Sequence, residues 1–162
     1  MLGYFNMAED DENLIDEHRW LRTGDLLYYD EDGFYYVVDR VKDLIKVNGV
    51  QVSPSELVSL VEFCKSHEFD FDEDVILTHP SVREAAVIGI DHPESGQVPK
   101  AFIVLQDGVD EEAAVLSIRA LVNEKLAPVK QLRGGVEVCT ELPKTSSGKV
   151  KRSELRKRFA SR

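Results

Sequence analysis

Hydrophobic and polar positions sort this chain into short apolar runs punctuated by turn residues. Leu26-Leu27-Tyr28-Tyr29 and Phe34-Tyr35-Tyr36-Val37-Val38 are aromatic and β-branched runs separated by Asp30-Glu31-Asp32-Gly33, the composition of two strands joined by a short loop. They predict a small antiparallel ribbon. Residues Met1 to Arg19 keep no sustained period and are rich in Asp, Glu and Asn, so they read as an extended or poorly ordered lead, with firm structure starting at Trp20.

A second hairpin is signalled by Asn48-Gly49 between β-formers, because both turn residues must adopt positive φ. With that loop, Val47 pairs with Val50, Lys46 with Gln51 and Ile45 with Val52. Side chains alternate faces, so Lys46 and Gln51 stand opposite each other on one face and Val47 and Val50 share the other. Ser53-Pro54-Ser55-Glu56 predicts a helix start, with Ser53 as N-cap, Pro54 in the first turn and Glu56 completing a capping box, the helix running to about Lys65. The acidic stretch Ser66 to Val75 reads as a loop or a weakly ordered helix end.

Ala85 to Ile90 and Ala101 to Leu105 predict buried strands joined by a polar loop from Asp91 to Lys100, which contains Pro and Gly. Glu111 to Leu126 places Val115, Ile118, Leu121, Val122 and Leu126 on a helical period, to pack on that sheet. Val136 to Val138 supplies another strand, Pro143 to Lys149 a loop, and Ser153 to Phe159 a final helix with Leu155 and Phe159 inward. The fold class is α+β: a small N-terminal β-ribbon, then a compact domain of a short, mostly antiparallel sheet packed with helices.

Composition narrows the function. The 162 residues, 43% hydrophobic, fill one ordinary core and fall short of a multi-domain enzyme. No apolar run is long enough for a membrane helix and the start lacks a signal-peptide pattern, so the chain reads as soluble and not secreted. Cys64 and Cys139 are too few for a disulfide scaffold or a four-cysteine zinc site. A net charge of −10 argues against general nucleic-acid binding, although the segment from Lys144 onward is basic. Asp70, Asp72 and Asp74 imitate a calcium loop, but Val75 and Ser81 stand where glycine and glutamate are required. Gly148-Lys149 suggests phosphate contact without being a Walker loop, since Pro143 and Val150 break that pattern. His18, His67, His79 and His92 have no ligand spacing, and no hydrolase triad can be argued.

Three ordered segments carry a resemblance: Trp20-Leu21-Arg22-Thr23-Gly24-Asp25-Leu26, then Asp39 to Leu57 with Lys46, Gly49 and Gln51, then Pro143-Lys144-Thr145-Ser146-Ser147-Gly148-Lys149. Together they resemble the C-terminal lid of the adenylate-forming superfamily, in its acyl-CoA synthetase, 4-coumarate–CoA ligase and firefly luciferase branch. The resemblance implies residues 1–39 as the last ribbon of a large AMP-binding domain not contained here, and 40–162 as the lid. It departs from the family's usual pattern at Arg19 (usually glycine), Asn48 (frequently lysine) and Gln97 (frequently glutamate).

The implied activity is an ATP-dependent acid–CoA ligase. By resemblance Lys149, Lys46 and Gln51 are catalytic; Asp25, Arg40 and Lys149 meet the nucleotide; Lys46 and Gly49 meet CoA; and Asp39 to Lys42 is the hinge, with Lys42 the pivot. No metal ligand is implied in this chain. ATP and coenzyme A are substrates, with Mg2+ in the complete enzyme, and the partners are the N-terminal AMP-binding domain and a small carboxylic acid, with no nucleic acid and no membrane span. The chain alone is expected to be inactive. Luciferase-type oxidation, carrier loading and a non-catalytic interaction module with a lid fold are the alternatives. An intracellular location follows, cytoplasmic or peroxisomal, although Ala160-Ser161-Arg162 is not the Ser-Lys-Leu address.

Overall fold

The computed structural model describes residues 14–58 and 76–160. The lead up to residue 13, the far end of the Ser53 helix, the acidic stretch 66–75 with its calcium-like aspartates, Cys64 and His67 lie outside the described residues. The chain divides into two compact units, Met1–Lys42 and Asp43–Arg162.

In the first unit β1 (Asp25–Tyr29) pairs antiparallel with β2 (Tyr35–Arg40), so the predicted ribbon is present. Asp25 lies opposite Arg40, and the register shifts after Leu26, which faces Asp39 while Leu27 faces Val37. Such a bulge sharpens local twist. Tyr28 and Tyr36 stack across the pair at 4.9 Å between ring centroids. Ordered structure begins before Trp20: Ile15 bridges Leu21, and the Arg22 N–H donates to the Leu14 carbonyl. The sequence shows no period there because the order comes from one aspartate, Asp16.

That aspartate belongs to a loop design that occurs three times among the described residues. The N–H of Asp16, Asp30 or Thr145 donates to the carbonyl four residues on, Trp20, Phe34 or Lys149, at 3.0, 3.1 and 2.8 Å. The next-to-last N–H of each loop returns to the first residue's carbonyl. The first residue's side-chain oxygen then accepts the last N–H, at 2.9, 2.9 and 3.1 Å. Each loop closes through one left-handed residue, Arg19, Gly33 or Gly148, at φ 67°, 82° and 83°. This is the three-residue hairpin loop in which glycine is favoured at the left-handed position. Arg19 occupies it at a steric cost that glycine escapes.

The second unit is a five-stranded sheet in the order β4-β3-β6-β5, with β7 also on β6. Its spine is the hairpin of β5 (Val82–His92) and β6 (Gly96–Leu105), paired from Val82↔Leu105 to His92↔Gly96. The expected loop from Asp91 to Lys100 therefore shrinks to residues 93–95. Pro99 and the flanking polar residues read as strand breakers, yet Val98 and Pro99 are buried and paired, and Gly96 makes the turn at φ 74°. β7 (Val136–Val138) runs parallel to β6.

Both faces of the spine are covered, which explains its unbroken apolar runs. Ala85, Val87, Ala101 and Ile103 point into one core with Ile45, Val47, Val52, Leu57, Ile118 and Val122. Ala86, Ile88, Phe102 and Val104 point into a second with Leu142 and Leu155. The first is closed by α2 (Glu111–Lys125), whose N-cap Asp110 accepts from the Ala113 N–H at 2.8 Å and whose buried stripe is Ala114, Ile118 and Val122. The second is closed by α3 (Arg152–Ala160), with Leu155 buried and Phe159 half-buried as expected. The Lys100 ammonium pairs with Glu137 at 3.0 Å and sits 4.3 Å from the centre of the Phe159 ring, tying β6, β7 and α3 together.

β3 (Ile45–Val47) and β4 (Val50–Val52) pair in the register that the Asn-Gly loop predicts, Ile45↔Val52, Lys46↔Gln51 and Val47↔Val50. Asn48 at φ 50° and Gly49 at φ 82° make the turn. Val47 and Val50 share a face, but only Val47 is buried; Val50 at the tip is 47% exposed. α1 (Pro54–Val58) begins at the proline that the sequence places in its first turn.

Substitutions at two positions test the loops. Arg19→Gly is expected to raise the urea midpoint of the first unit, followed by near-ultraviolet circular dichroism of the stacked Tyr28 and Tyr36; an unchanged or lower midpoint would show the loop unstrained. A Cβ on Gly49 would meet nothing within 4 Å, so its constraint is φ alone. Gly49→Ala should cost about 1 kcal/mol, and Gly49→Asn less, because Asn enters the left-handed region more readily. Urea denaturation of the second unit that ranks Asn below Ala would mean that space, not conformation, is limiting.

Candidate functional site

The β3–β4 hairpin presents Lys46 and Gln51 side by side and exposed, while Ile45, Val47 and Val52 anchor its other face in the core. A lysine supplies a mobile cation and a glutamine both a donor and an acceptor. β3 is held to the sheet by the pair Val47↔Gly96, by the Asn48 N–H donating to the Ser95 carbonyl at 2.9 Å, and by the Lys46 N–H donating to Gln97 Oε1 at 3.1 Å. Ser95 is buried; its N–H faces His92 Nδ1 at 3.3 Å and its hydroxyl accepts from Arg133 at 3.3 Å. His92, without a ligand role in the sequence, thus caps the turn that carries the hairpin.

Lys149 stands at the closing end of the third of the three loops, exposed. Lys144 bridges Val150 across the loop base, Lys151 N–H donates to the Pro143 carbonyl at 2.8 Å, and the Lys144 ammonium pairs with Glu84 on β5 at 2.7 Å. Thr145 Oγ1, which accepts the Lys149 N–H, is also 2.9 Å from Ser147 Oγ. The backbone beneath Lys149 is therefore fixed at both ends while its ammonium projects outward. Gly148 meets the turn's need for positive φ, at 83°, and a Cβ there would meet no protein atom within 4 Å. Among the described residues, no ion pair engages the ammonium of Lys46 or of Lys149.

In the first unit, the Asp25 carboxylate and the Arg40 guanidinium meet across the ribbon at 2.6 Å, and Arg40 also donates to the Thr23 carbonyl at 3.3 Å. A carboxylate offers about four lone-pair sites, so this pairing leaves acceptor capacity for hydroxyl donors. Asp39 is 6% exposed and accepts from the Arg40 N–H at 2.8 Å. Lys42 lies in a single 3-10 turn, Val41–Asp43, at the boundary between the two units. On its far side Asp43 accepts from Arg156 of α3 at 3.0 Å. The structure thus brings together Lys46 with Gln51 and Asp25 with Arg40, and sets Lys149 on a loop of its own.

Other chemistry-bearing groups resolve into structural contacts. His79 Nε2 lies 2.9 Å from Ser117 Oγ, but its Nδ1 accepts from the Ser81 N–H at 3.3 Å, so Nε2 carries the proton and donates; it is no base for that serine. Cys139 is a half-buried cysteine. Among the described residues no group of three or more His, Cys, Asp or Glu is arranged to hold a metal ion, and no helix is long and apolar enough to cross a membrane. Sequence reasoning marked Gln97 only as a departure from the family's pattern and missed Thr145 and Ser95; the Asp-x-x-Gly and Thr-x-x-Gly spacings were the available signal for the loop clamps.

Residues 73–149 match the family model of the AMP-binding enzyme C-terminal domain. The luciferin 4-monooxygenase of Photuris pensylvanica is 37% identical over 98% of this chain and 26% of its own length. The peroxisomal OPC-8:0-CoA ligase 1 of Arabidopsis thaliana is 41% identical over 96% of this chain and 25% of its own length. Among solved structures, the o-succinylbenzoate CoA synthetase of Bacillus subtilis, in complex with its acyl-adenylate intermediate, superposes with a TM-score of 0.72 at 34% identity, covering 96% of this chain and 28% of that one. The chain spans about a quarter of the length of the curated relatives it matches. With the fold, the ordered motifs and these similarities in agreement, the chain contains the C-terminal domain of AMP-binding enzymes.

Proposed function

We propose that this chain supplies the mobile lid of an ATP-dependent acid–CoA ligase. The observation that carries the proposal is the arrangement of its exposed cations: Lys46, paired with Gln51, and Lys149 stand on two separately braced hairpin loops of one unit. Two loops on one rigid body can serve two reactions in turn if the body rotates. Resemblance to CoA ligases supports the assignment of those reactions.

In the first half, a carboxylate oxygen of the acid attacks the α-phosphorus of ATP and pyrophosphate leaves, giving the acyl-adenylate. Lys149 stabilises the negative charge developing on the transferring oxygens, a role for a cation whose backbone is already fixed. The ribose hydroxyls donate to Asp25, held by Arg40. Mg2+ would neutralise phosphate charge when ATP is bound to the complete enzyme. In the second half, the thiol sulfur of coenzyme A attacks the acyl carbonyl and AMP leaves. Lys46 and Gln51 then face the adenylate, and Gly49 lies beside the incoming pantetheine.

The turn at Lys42, between the units, supports a pivot within Asp39 to Lys42, and so a division close to the 39/40 boundary. The first unit exposes Trp20 (73%), Tyr29, Phe34, Tyr35 and Val37, apolar side chains that suit burial against a preceding AMP-binding domain. The luciferin 4-monooxygenase similarity favours one second reading, in which the adenylate is oxidised instead of thioesterified; the first half is unchanged. Soluble partners and an intracellular site, cytoplasmic or peroxisomal, accord with either reading.

In the complete enzyme, Lys149→Ala is expected to slow adenylate formation by about a hundredfold or more while thioester formation from supplied acyl-adenylate persists, and Lys46→Ala to show the reverse. Each half is followed separately, by ATP–pyrophosphate exchange and by CoA thioester release, and equal losses in both would contradict the division. The 162-residue chain by itself is expected to release no pyrophosphate from ATP and acid; release above the no-enzyme background would contradict its role as a lid alone.

A further inference from the structure

We infer that Gln97 is the positioning residue for Lys46. The inference rests on the reading that the Lys46 face serves the thioester-forming half, and it adds the group that holds that face in place.

β3 joins the sheet through a single residue pair, Val47↔Gly96. One step further along this antiparallel register, Lys46 lies opposite Gln97. There the Lys46 N–H finds its acceptor in a side chain, Gln97 Oε1 at 3.1 Å. A carboxamide oxygen thus stands in for a ladder carbonyl at the one position whose backbone aims the lysine. Side chains leave a strand at an angle set by its backbone, so rotating the Lys46 peptide would redirect its ammonium and uncouple it from Gln51.

The placement of Gln97 has its own cause. Its side chain crosses over Gly89 on β5, where a Cβ would lie 3.0 Å from Gln97 Oε1, 3.2 Å from its Cδ and 2.9 Å from Ile45 Cγ2. Gly89 does not adopt positive φ, so its glycine is explained by the close approach of Gln97 and Ile45 rather than by a turn. Gly89 makes the space, Gln97 fills it, and Lys46 receives the hydrogen bond. The Ser95 carbonyl fixes the next turn through Asn48, so the spine hairpin grips the active hairpin at adjacent points.

The test uses Gln97→Leu, which keeps bulk and loses the acceptor; Gln97→Glu, which keeps an acceptor oxygen; and Gly89→Ala, which crowds the side chain from below. In the 162-residue chain, hydrogen exchange at the Lys46 amide is expected to accelerate about tenfold in Gln97→Leu, and to stay near the original rate in Gln97→Glu. Gly89→Ala should resemble Gln97→Leu. Unchanged Lys46 exchange in both Gln97→Leu and Gly89→Ala would overturn the inference. In the complete enzyme, Gln97→Leu should lower thioester formation from supplied acyl-adenylate, spare adenylate formation, and be rescued by Gln97→Glu. Equal loss in both halves, or no rescue, would reduce Gln97 to a structural residue. If Lys46→Ala leaves the thioester half unaffected while Lys46 exchange responds to Gln97→Leu, the functional reading fails and the positioning contact stands.

Discussion

The second unit depends on one constraint, the antiparallel pairing of β5 with β6 into a hairpin buried on both faces. Its alternate side chains feed two cores, so neither α2 nor α3 can shift without opening a cavity under Ile118 or Leu155. Within this unit, both loops that carry the proposed catalytic lysines hang from this spine. Gly96 and Gln97, at its turn end, hold the Lys46 hairpin; Glu84, near its other end, pairs with Lys144 and steadies the Lys149 loop. A stiff body with two outward cations suits a lid, because rotation about a hinge then moves whole loops without remaking them.

The parts readable in the sequence are those set by local chemistry. Asn48-Gly49 dictated a register that the structure reproduces pair for pair, since few residue types tolerate two consecutive left-handed positions. The apolar period of 111–126 located α2, and the run 26–38 located the ribbon. Long-range contacts were not readable. Pro99 and Gly96 looked like loop residues because single-residue propensity carries no information about pairing partners; opposite Gly89 and His92 they are strand. The same limit hid the Gln97 contact to Lys46, which no spacing announces.

The recurring loop clamp links local rules to the site. An oxygen-bearing side chain at the first position accepts the fifth residue's N–H, and a left-handed residue closes the turn; the Asp30 loop ends the ribbon, while the Thr145 loop supports Lys149. The pattern recasts Gly148 as a conformational requirement, with the cation's placement as its consequence. It also explains why Arg19 is a departure with a cost. Asp16 supplies the clamp there, and only the left-handed position lacks its favoured residue.

The central claim is that this unit acts as the lid of a larger nucleotide-binding enzyme. Its most direct test is the mass of the native protein, read from extract of its source with an antibody raised against this chain. Since the chain spans about a quarter of its curated relatives, a band roughly four times heavier than 18.3 kDa is expected. A native band at 18.3 kDa would contradict the claim and leave a free-standing domain.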